Sequence, residues 1–164
     1  MSIPSSTYRV QLSPDFPFAS LEALIPYLAD LGVDTIYASP IFEARPGSAH
    51  GYDVVHPLRV NPALGGEEGL YKVREKARAH GLGWLQDIVP NHMAVDKGNA
   101  WLYDVWEKGP FSSWHRFFDI DWEHPDAGQS GKVMVPLLGG TAEACVRDGV
   151  LGLHYDAQGF YFKY

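Results

Sequence analysis

The sequence predicts an α/β protein built on a parallel sheet, followed by a smaller segment of mixed structure. Up to about residue 92, short runs rich in β-branched and aromatic residues alternate with runs whose apolar residues recur at helical spacing. That alternation is typical of parallel βαβ units. From about residue 93 it stops, and tryptophan-rich, loop-like and hairpin-like segments follow. We therefore predict one domain over 1–92 and an inserted, partly β subdomain over 93–164.

Three strands are predicted in the first part. They are TYRVQL at 7–12, VDTIYASP at 33–40 and GWLQDIV at 83–89. On the first strand, Arg9 and Gln11 alternate with Tyr8 and Val10, so one face is polar. That polar face lies either near a functional site or at a solvated edge. Near the end of the chain, DAQG predicts the turn of a β-hairpin.

Two helices are predicted between these strands. The first has Ser20 as its N-cap, ends at Gly32, and carries an apolar face formed by Leu21, Leu24, Ile25, Leu28 and Leu31. Pro26 either bends this helix or marks the start of its regular part. The second helix begins near Glu67 and ends at Gly81. Because consecutive parallel strands with right-handed crossovers lie side by side, the loops leaving the second and third strands share one face.

Composition excludes several function classes. The hydrophobic fraction of 46% and charged fraction of 20% are ordinary for a soluble protein. A formal charge of -7 with scattered basic residues disfavours nucleic-acid and membrane partners. Cys145 is the only cysteine, and the first residues lack the pattern of a signal peptide, so we predict a cytoplasmic protein. No glycine-rich turn follows the first strand and no histidine pair has ligand spacing, which disfavours nucleotide-binding and metal-hydrolase classes.

Two short stretches stand out because they bring polar and aromatic side chains to the loops after strands two and three. The stretch DIVPNH supplies Asp87, Asn91 and His92. The stretch HGYD, about 35 residues earlier, supplies His50, Tyr52 and Asp53. Aromatic residues in loops suit stacking on a sugar or a base, and they equally suit a large aromatic core.

These stretches resemble the α-amylase superfamily, glycoside hydrolase family 13. The resemblance is carried by GVDTIYASPIF, HGYDVVHP, GLGWLQDIVPNHMAV and FFDIDW, in this order, and DIVPNH matches the family pattern Asp-x-Val-x-Asn-His. It implies a partial (β/α)8 TIM barrel, made of the first three βα units, with an inserted irregular domain after strand three and an active site at the carboxyl ends of the strands.

Within that family, RPGSAHGYD and QDIVPNHMAV are most similar to an intramolecular transglucosylase branch. Its enzymes convert the reducing-end α-1,4 linkage of maltooligosaccharides to α,α-1,1. The alternatives are another family hydrolase or transferase on α-glucans, or a non-catalytic carbohydrate-binding fragment. The implied partner is a maltooligosaccharide or α-glucan, and no cofactor or metal is implied.

The resemblance also implies a role for three single residues. Tyr52 resembles the tyrosine that stacks under the sugar at the cleavage subsite. His92 resembles the histidine that hydrogen-bonds a hydroxyl of that sugar. Asp87 resembles the aspartate that orients an arginine beside the nucleophile. Without that arginine, Asp87 is predicted to be an unpaired, partly buried carboxylate.

For the remaining candidates the interpretation stays open. Asn91 either caps its turn, which we favour, or resembles the calcium ligand of many α-amylases. His50 and Asp53 either contact sugar hydroxyls or hold their loop. Four tryptophans are candidates for stacking on a sugar: Trp101, Trp106, Trp114 and Trp122. Most of them are predicted instead to form the core of the small subdomain.

The three predicted strands are too few for a complete barrel, which takes about 250 residues. In the family, the nucleophile, the acid/base and a further transition-state aspartate follow strands four, five and seven. None of these residues is expected in this chain, so we predict a fragment of a larger enzyme that is inactive alone. Open sheet edges make self-association possible.

Overall fold

The computed structural model describes residues 3–157 and 159–164. The chain divides into two compact units, one up to Phe118 and one from Asp119 to Tyr164. Across the described residues, no helix has both the length and the apolar surface that a bilayer crossing requires.

The first unit is organised around a three-stranded parallel sheet. Its strands are β1 (Thr7–Val10), β2 (Thr35–Ala38) and β5 (Gly83–Gln86), in the order β1-β2-β5. The predicted parallel strands are therefore confirmed, although each ends earlier than predicted. In the described part of the chain, β1 and β5 each pair on one side only. Self-association through these edges stays a prediction.

Two helices cover this sheet, α1 (Phe18–Asp30) and α2 (Gly66–Ala79). Ser20 was predicted to be the N-cap of α1, and this prediction is wrong. The N-cap position is Pro17, three residues earlier, and this start places the fully buried Phe18 in the core. Leu31 follows the helix and is 53% exposed, so its predicted place on the apolar face is wrong. Pro26 lies on the exposed side of a helix that continues through it.

The core of the first unit lies between the sheet and these helices. Its fully buried members include Leu21, Ile25 and Leu28 from α1, Ile36 from β2 and Val73 from α2. Burying such side chains is the main favourable contribution to folding. The core therefore fixes the sheet whose carboxyl ends carry the candidate site.

The stretch after β2, for which no strand was predicted, contains a β-hairpin. It consists of β3 (Phe42–Ala44) and β4 (Val54–Val60), followed by a 3-10 helix at Pro62–Leu64. The antiparallel pairing shifts register on both sides of Glu43, so it is a bulged ladder. Pro57 within β4 is a further departure from a regular strand pattern. The loop that joins the two strands carries His50 and Tyr52.

The rest of the first unit is an aromatic segment. It contains α3 (Ala100–Lys108) and two 3-10 helices at Gly109–Phe111 and His115–Phe117. Trp101 is buried and stacks on Trp114 with ring centroids 4.2 Å apart. Trp106 lies in the same unit, so only Trp122 lies in the smaller one. By contacts the chain divides between Phe118 and Asp119, and the domain boundary at 92/93 stays a prediction.

The second unit contains α4 (Ala142–Arg147) and an antiparallel hairpin of β6 (Gly152–Asp156) and β7 (Gly159–Lys163). The predicted carboxyl-terminal hairpin is confirmed. Gln158, in the predicted DAQG turn, lies outside the described residues.

Asp34 should make the stability of the first unit sensitive to acid. Its Oδ2 accepts hydrogen bonds from the Ser5 hydroxyl at 2.6 Å and the Ser5 amide at 2.7 Å, and these donors lower its pKa from 3.8 to about 2. Because the folded pKa is the lower one, the stabilisation is present above about pH 4 and is lost as pH falls towards 2. Urea denaturation from pH 5 to pH 2 should show a steeper loss for the unmodified protein than for Asp34→Asn. Parallel curves would contradict this assignment.

Candidate functional site

The carboxyl ends of the three parallel strands are tied together by hydrogen bonds. The amide of Ser39, just after β2, donates to the carbonyl of Val10 at 3.0 Å, and its buried hydroxyl accepts from the Leu12 amide at 2.8 Å. The amide of Asp87, just after β5, donates to the carbonyl of Ala38 at 2.9 Å. Residues after each strand are therefore held at one edge of the sheet.

The loop between β3 and β4 reaches the same edge because of Gly51. Its φ of +76° is unfavourable for other residues, and a Cβ there would lie 3.0 Å from the carbonyl oxygen of Pro40, after β2. Glycine thus allows the loop to approach the end of β2 closely. Gln11, after β1, fixes the loop from another side, since its side-chain amide donates to the carbonyl of His50 at 3.1 Å.

Tyr52, Asp87 and Arg9 form the centre of the site. The Tyr52 hydroxyl donates to Asp87 Oδ2 and accepts from Arg9 Nη2 at 2.8 Å. Arg9 Nη2 also lies 3.4 Å from Asp87 Oδ2, and the Asp87 side chain is only 14% exposed. The prediction that Asp87 is unpaired is therefore wrong. Its cation comes from the first strand of this chain.

The contacts of Tyr52 keep its phenol protonated. The hydrogen bond to the Asp87 carboxylate raises the pKa of Tyr52, because a phenolate there would face a negative charge. The nearby Arg9 opposes this effect but does not cancel it. At neutral pH the ring is thus an uncharged aromatic surface with a fixed hydroxyl.

His50 and Asp53 flank Tyr52 and stabilise its loop. Asp53 accepts a hydrogen bond from the Ser48 hydroxyl, and Arg45 Nε lies 3.9 Å from its carboxylate. His50 Nδ1 accepts from the Tyr52 amide at 3.0 Å. A ring nitrogen that accepts this bond carries no proton, so its 3.8 Å approach to Asp53 is not a hydrogen bond. Contact of these residues with a sugar stays a prediction.

His92 and Asn91 follow Asp87 on the loop that leaves β5. Both are exposed, and His92 Nδ1 lies 2.7 Å from the amide oxygen of Asn91. Since an amide oxygen only accepts, this pairing places the proton on Nδ1 and leaves Nε2 free to accept. Among the described residues, neither side chain forms a hydrogen bond or a ring contact with Tyr52. Their joint contact with one ligand stays a prediction, as does the choice between cap and calcium ligand for Asn91.

For Arg9 and Gln11, the sequence left open whether their strand face lies at a functional site or at a solvated edge. Both belong to the polar face of the first predicted strand, and the contacts with Tyr52, Asp87 and His50 place that face at the site. The alternation of polar and apolar residues along this strand was the sequence signal that pointed to a polar face. Sequence alone could not supply the partners, because Asp87 lies 78 positions after Arg9.

The fold and these motifs agree with comparisons to known proteins. The family model for the α-amylase catalytic domain matches residues 21–141. The chain belongs to that family.

Particular relatives are similar over most of this chain. A Mycobacterium tuberculosis protein provisionally named maltooligosyl trehalose synthase is 47% identical in an alignment of 145 residues that covers 84% of this chain and 18% of that protein. A crystal structure of maltooligosyl trehalose synthase is 39% identical with a TM-score of 0.86, covering 99% of this chain and 22% of the other. A type III pullulan hydrolase from Thermococcus kodakarensis is 31% identical with a TM-score of 0.56, over 75% of this chain and 23% of that one. This chain therefore spans about a fifth of the length of these proteins.

Proposed function

We propose that this chain is part of a maltooligosyl trehalose synthase, an intramolecular transglucosylase. The reaction would move the reducing-end glucose of a maltooligosaccharide from an α-1,4 to an α,α-1,1 linkage. One observation carries the proposal. The likeness to the synthase structure covers 99% of this chain at a TM-score of 0.86, whereas the pullulan hydrolase reaches 75% and 0.56. The alternative, another α-glucan hydrolase, is less well supported for that reason.

Within this proposal, β1, β2 and β5 are the first three strands of a (β/α)8 barrel, and their carboxyl ends form part of its active-site face. The segment after residue 92 belongs to a domain inserted after the third barrel strand. The nucleophile and the acid/base are supplied by later parts of the barrel. This chain alone therefore binds a maltooligosaccharide without converting it.

The site residues have complementary tasks in this scheme. Tyr52 offers its ring to the apolar face of a glucose unit at the cleavage subsite. His92, whose Nε2 is free, hydrogen-bonds a hydroxyl of that glucose. Asp87 anchors the phenol of Tyr52 and leaves the ring face available for stacking.

The assay that tests this function compares two substrates of the complete gene product. Maltopentaose should lose its reducing power while little glucose or maltose is released, because the reducing-end glucose is re-attached through its anomeric carbon. Maltopentaitol, whose reducing end has been reduced, has no anomeric hydroxyl and should stay unchanged. Both reactions can be followed by a reducing-sugar assay and by chromatography of the products.

Release of glucose or maltose as the main product would contradict the synthase assignment. Cleavage of maltopentaitol at a rate similar to that of maltopentaose would do so as well, because hydrolysis of an internal linkage needs no free anomeric hydroxyl. Either result would favour an α-amylase-like hydrolase.

A further inference from the structure

Arg9 connects the aromatic and acidic residues of the site. Its Nη2 lies 2.8 Å from the Tyr52 hydroxyl and 3.4 Å from Asp87 Oδ2, and its guanidinium lies over the Tyr37 ring, 5.0 Å from the centroid. Tyr37 is on β2, the loop of Tyr52 follows β3, and Asp87 follows β5. One side chain on β1 thus contacts residues from three other segments.

In these contacts the Tyr52 hydroxyl acts both as a hydrogen-bond donor and as an acceptor. Its proton is donated to Asp87, and its oxygen accepts from Arg9. A tyrosine held by Asp87 alone would keep a free acceptor position and could tilt, because Tyr52 is only half-buried. With both the proton and an acceptor position of the hydroxyl engaged, by Asp87 and by Arg9, the ring is held in one orientation before a ligand arrives.

We propose that Arg9 is a positioning residue, which orients the Tyr52 ring for stacking on a glucose unit. This inference rests on the proposed function, since it needs Tyr52 to contact the sugar. Ordering the ring in advance removes the entropy loss that would otherwise oppose binding. Two of the guanidinium nitrogens, Nε and Nη1, donate to no protein atom in the part of the chain described, so the anchoring uses a single nitrogen.

The first test follows the ionisation of Tyr52 by 13C NMR of labelled tyrosine, over the pH range in which circular dichroism shows a folded chain. Tyr52→Phe assigns the signal. Arg9→Met should move the titration midpoint of Tyr52 to higher pH, because the cation that lowers its pKa is gone. Arg9→Lys should move it less. The other titratable groups that contact or flank Tyr52 include Asp87, His50 and Asp53, and they are the same in every variant.

The second test measures maltopentaose affinity of the same variants by NMR titration. Arg9→Met should raise Kd by about 10-fold, and Arg9→Lys should recover part of the affinity. The matched control is Arg78→Met. Arg78 is a surface arginine of α2 whose side chain is 79% exposed, so both readouts should stay unchanged.

Each result bears on the proposal. An unchanged Tyr52 midpoint in Arg9→Met, or an unchanged maltopentaose Kd in that folded variant, overturns it. If Arg9→Met does not fold, Arg9→Lys decides by the same two readouts. If the unmodified chain binds no maltopentaose, the proposed sugar contact fails. The Tyr52 midpoint then still reports whether Arg9 holds the phenol.

Discussion

Replacing Tyr52 by alanine should lower kcat/KM of the complete gene product for maltopentaose by roughly 100-fold, which corresponds to about 2.7 kcal/mol. The change removes the ring proposed to stack on the sugar. It also takes a hydrogen-bond donor from Asp87, whose side chain is only 14% exposed. Steady-state kinetics with maltopentaose would measure the loss.

Two further variants separate the causes. Tyr52→Phe keeps the ring but loses the hydroxyl that Arg9 and Asp87 hold, so we expect an intermediate loss of about 10-fold. Tyr27→Ala is the matched control, because Tyr27 is a 58% exposed tyrosine of α1. It should stay within about two-fold of the unmodified protein. Equal losses in Tyr52→Phe and Tyr52→Ala would mean that the hydroxyl, not the ring face, matters. No loss in Tyr52→Ala would remove Tyr52 from the site.

The regular part of the fold could be predicted from the sequence because its signals are local. Apolar spacing identified α1, and Gly32, with a φ of +83°, marked its end. The start of α1 was missed because burial of Phe18 outweighed the capping preference of Ser20. The β3 and β4 hairpin was missed because its ladder is bulged and β4 contains Pro57, which conceals the two-residue alternation of an ordinary strand.

The site was predictable in part, since motif residues follow strand ends, but its electrostatics depend on contacts between distant segments. Arg9 is in register with Tyr37, and Tyr37 with Leu85, which places Arg9 close to Asp87. Register across a parallel sheet is set by packing of the core, so it cannot be predicted from the sequence of either strand alone. The sequence analysis therefore predicted no cation for Asp87 in this chain, whereas the structure shows that Arg9 is its partner.

The largest effect on stability is expected for Phe18→Ala. Phe18 is fully buried at the start of α1, and Gly69 of α2 lies so close that a Cβ there would be 3.2 Å from the Phe18 ring. The ring therefore fills the space where the two helices meet. Its removal should lower the free energy of unfolding by about 3–5 kcal/mol, a large share of the roughly 5–15 kcal/mol of a typical domain.

Urea denaturation followed by circular dichroism would measure this loss, and Phe111→Ala is its matched control. Phe111 is 92% exposed, so its replacement should change the free energy of unfolding by less than about 0.5 kcal/mol. Similar midpoints for Phe18→Ala and the unmodified protein would contradict the close packing of α1 on α2. At Gly69, an added methyl group would require the Phe18 ring to shift by a few tenths of an ångström, and this cost opposes the higher helix propensity of alanine.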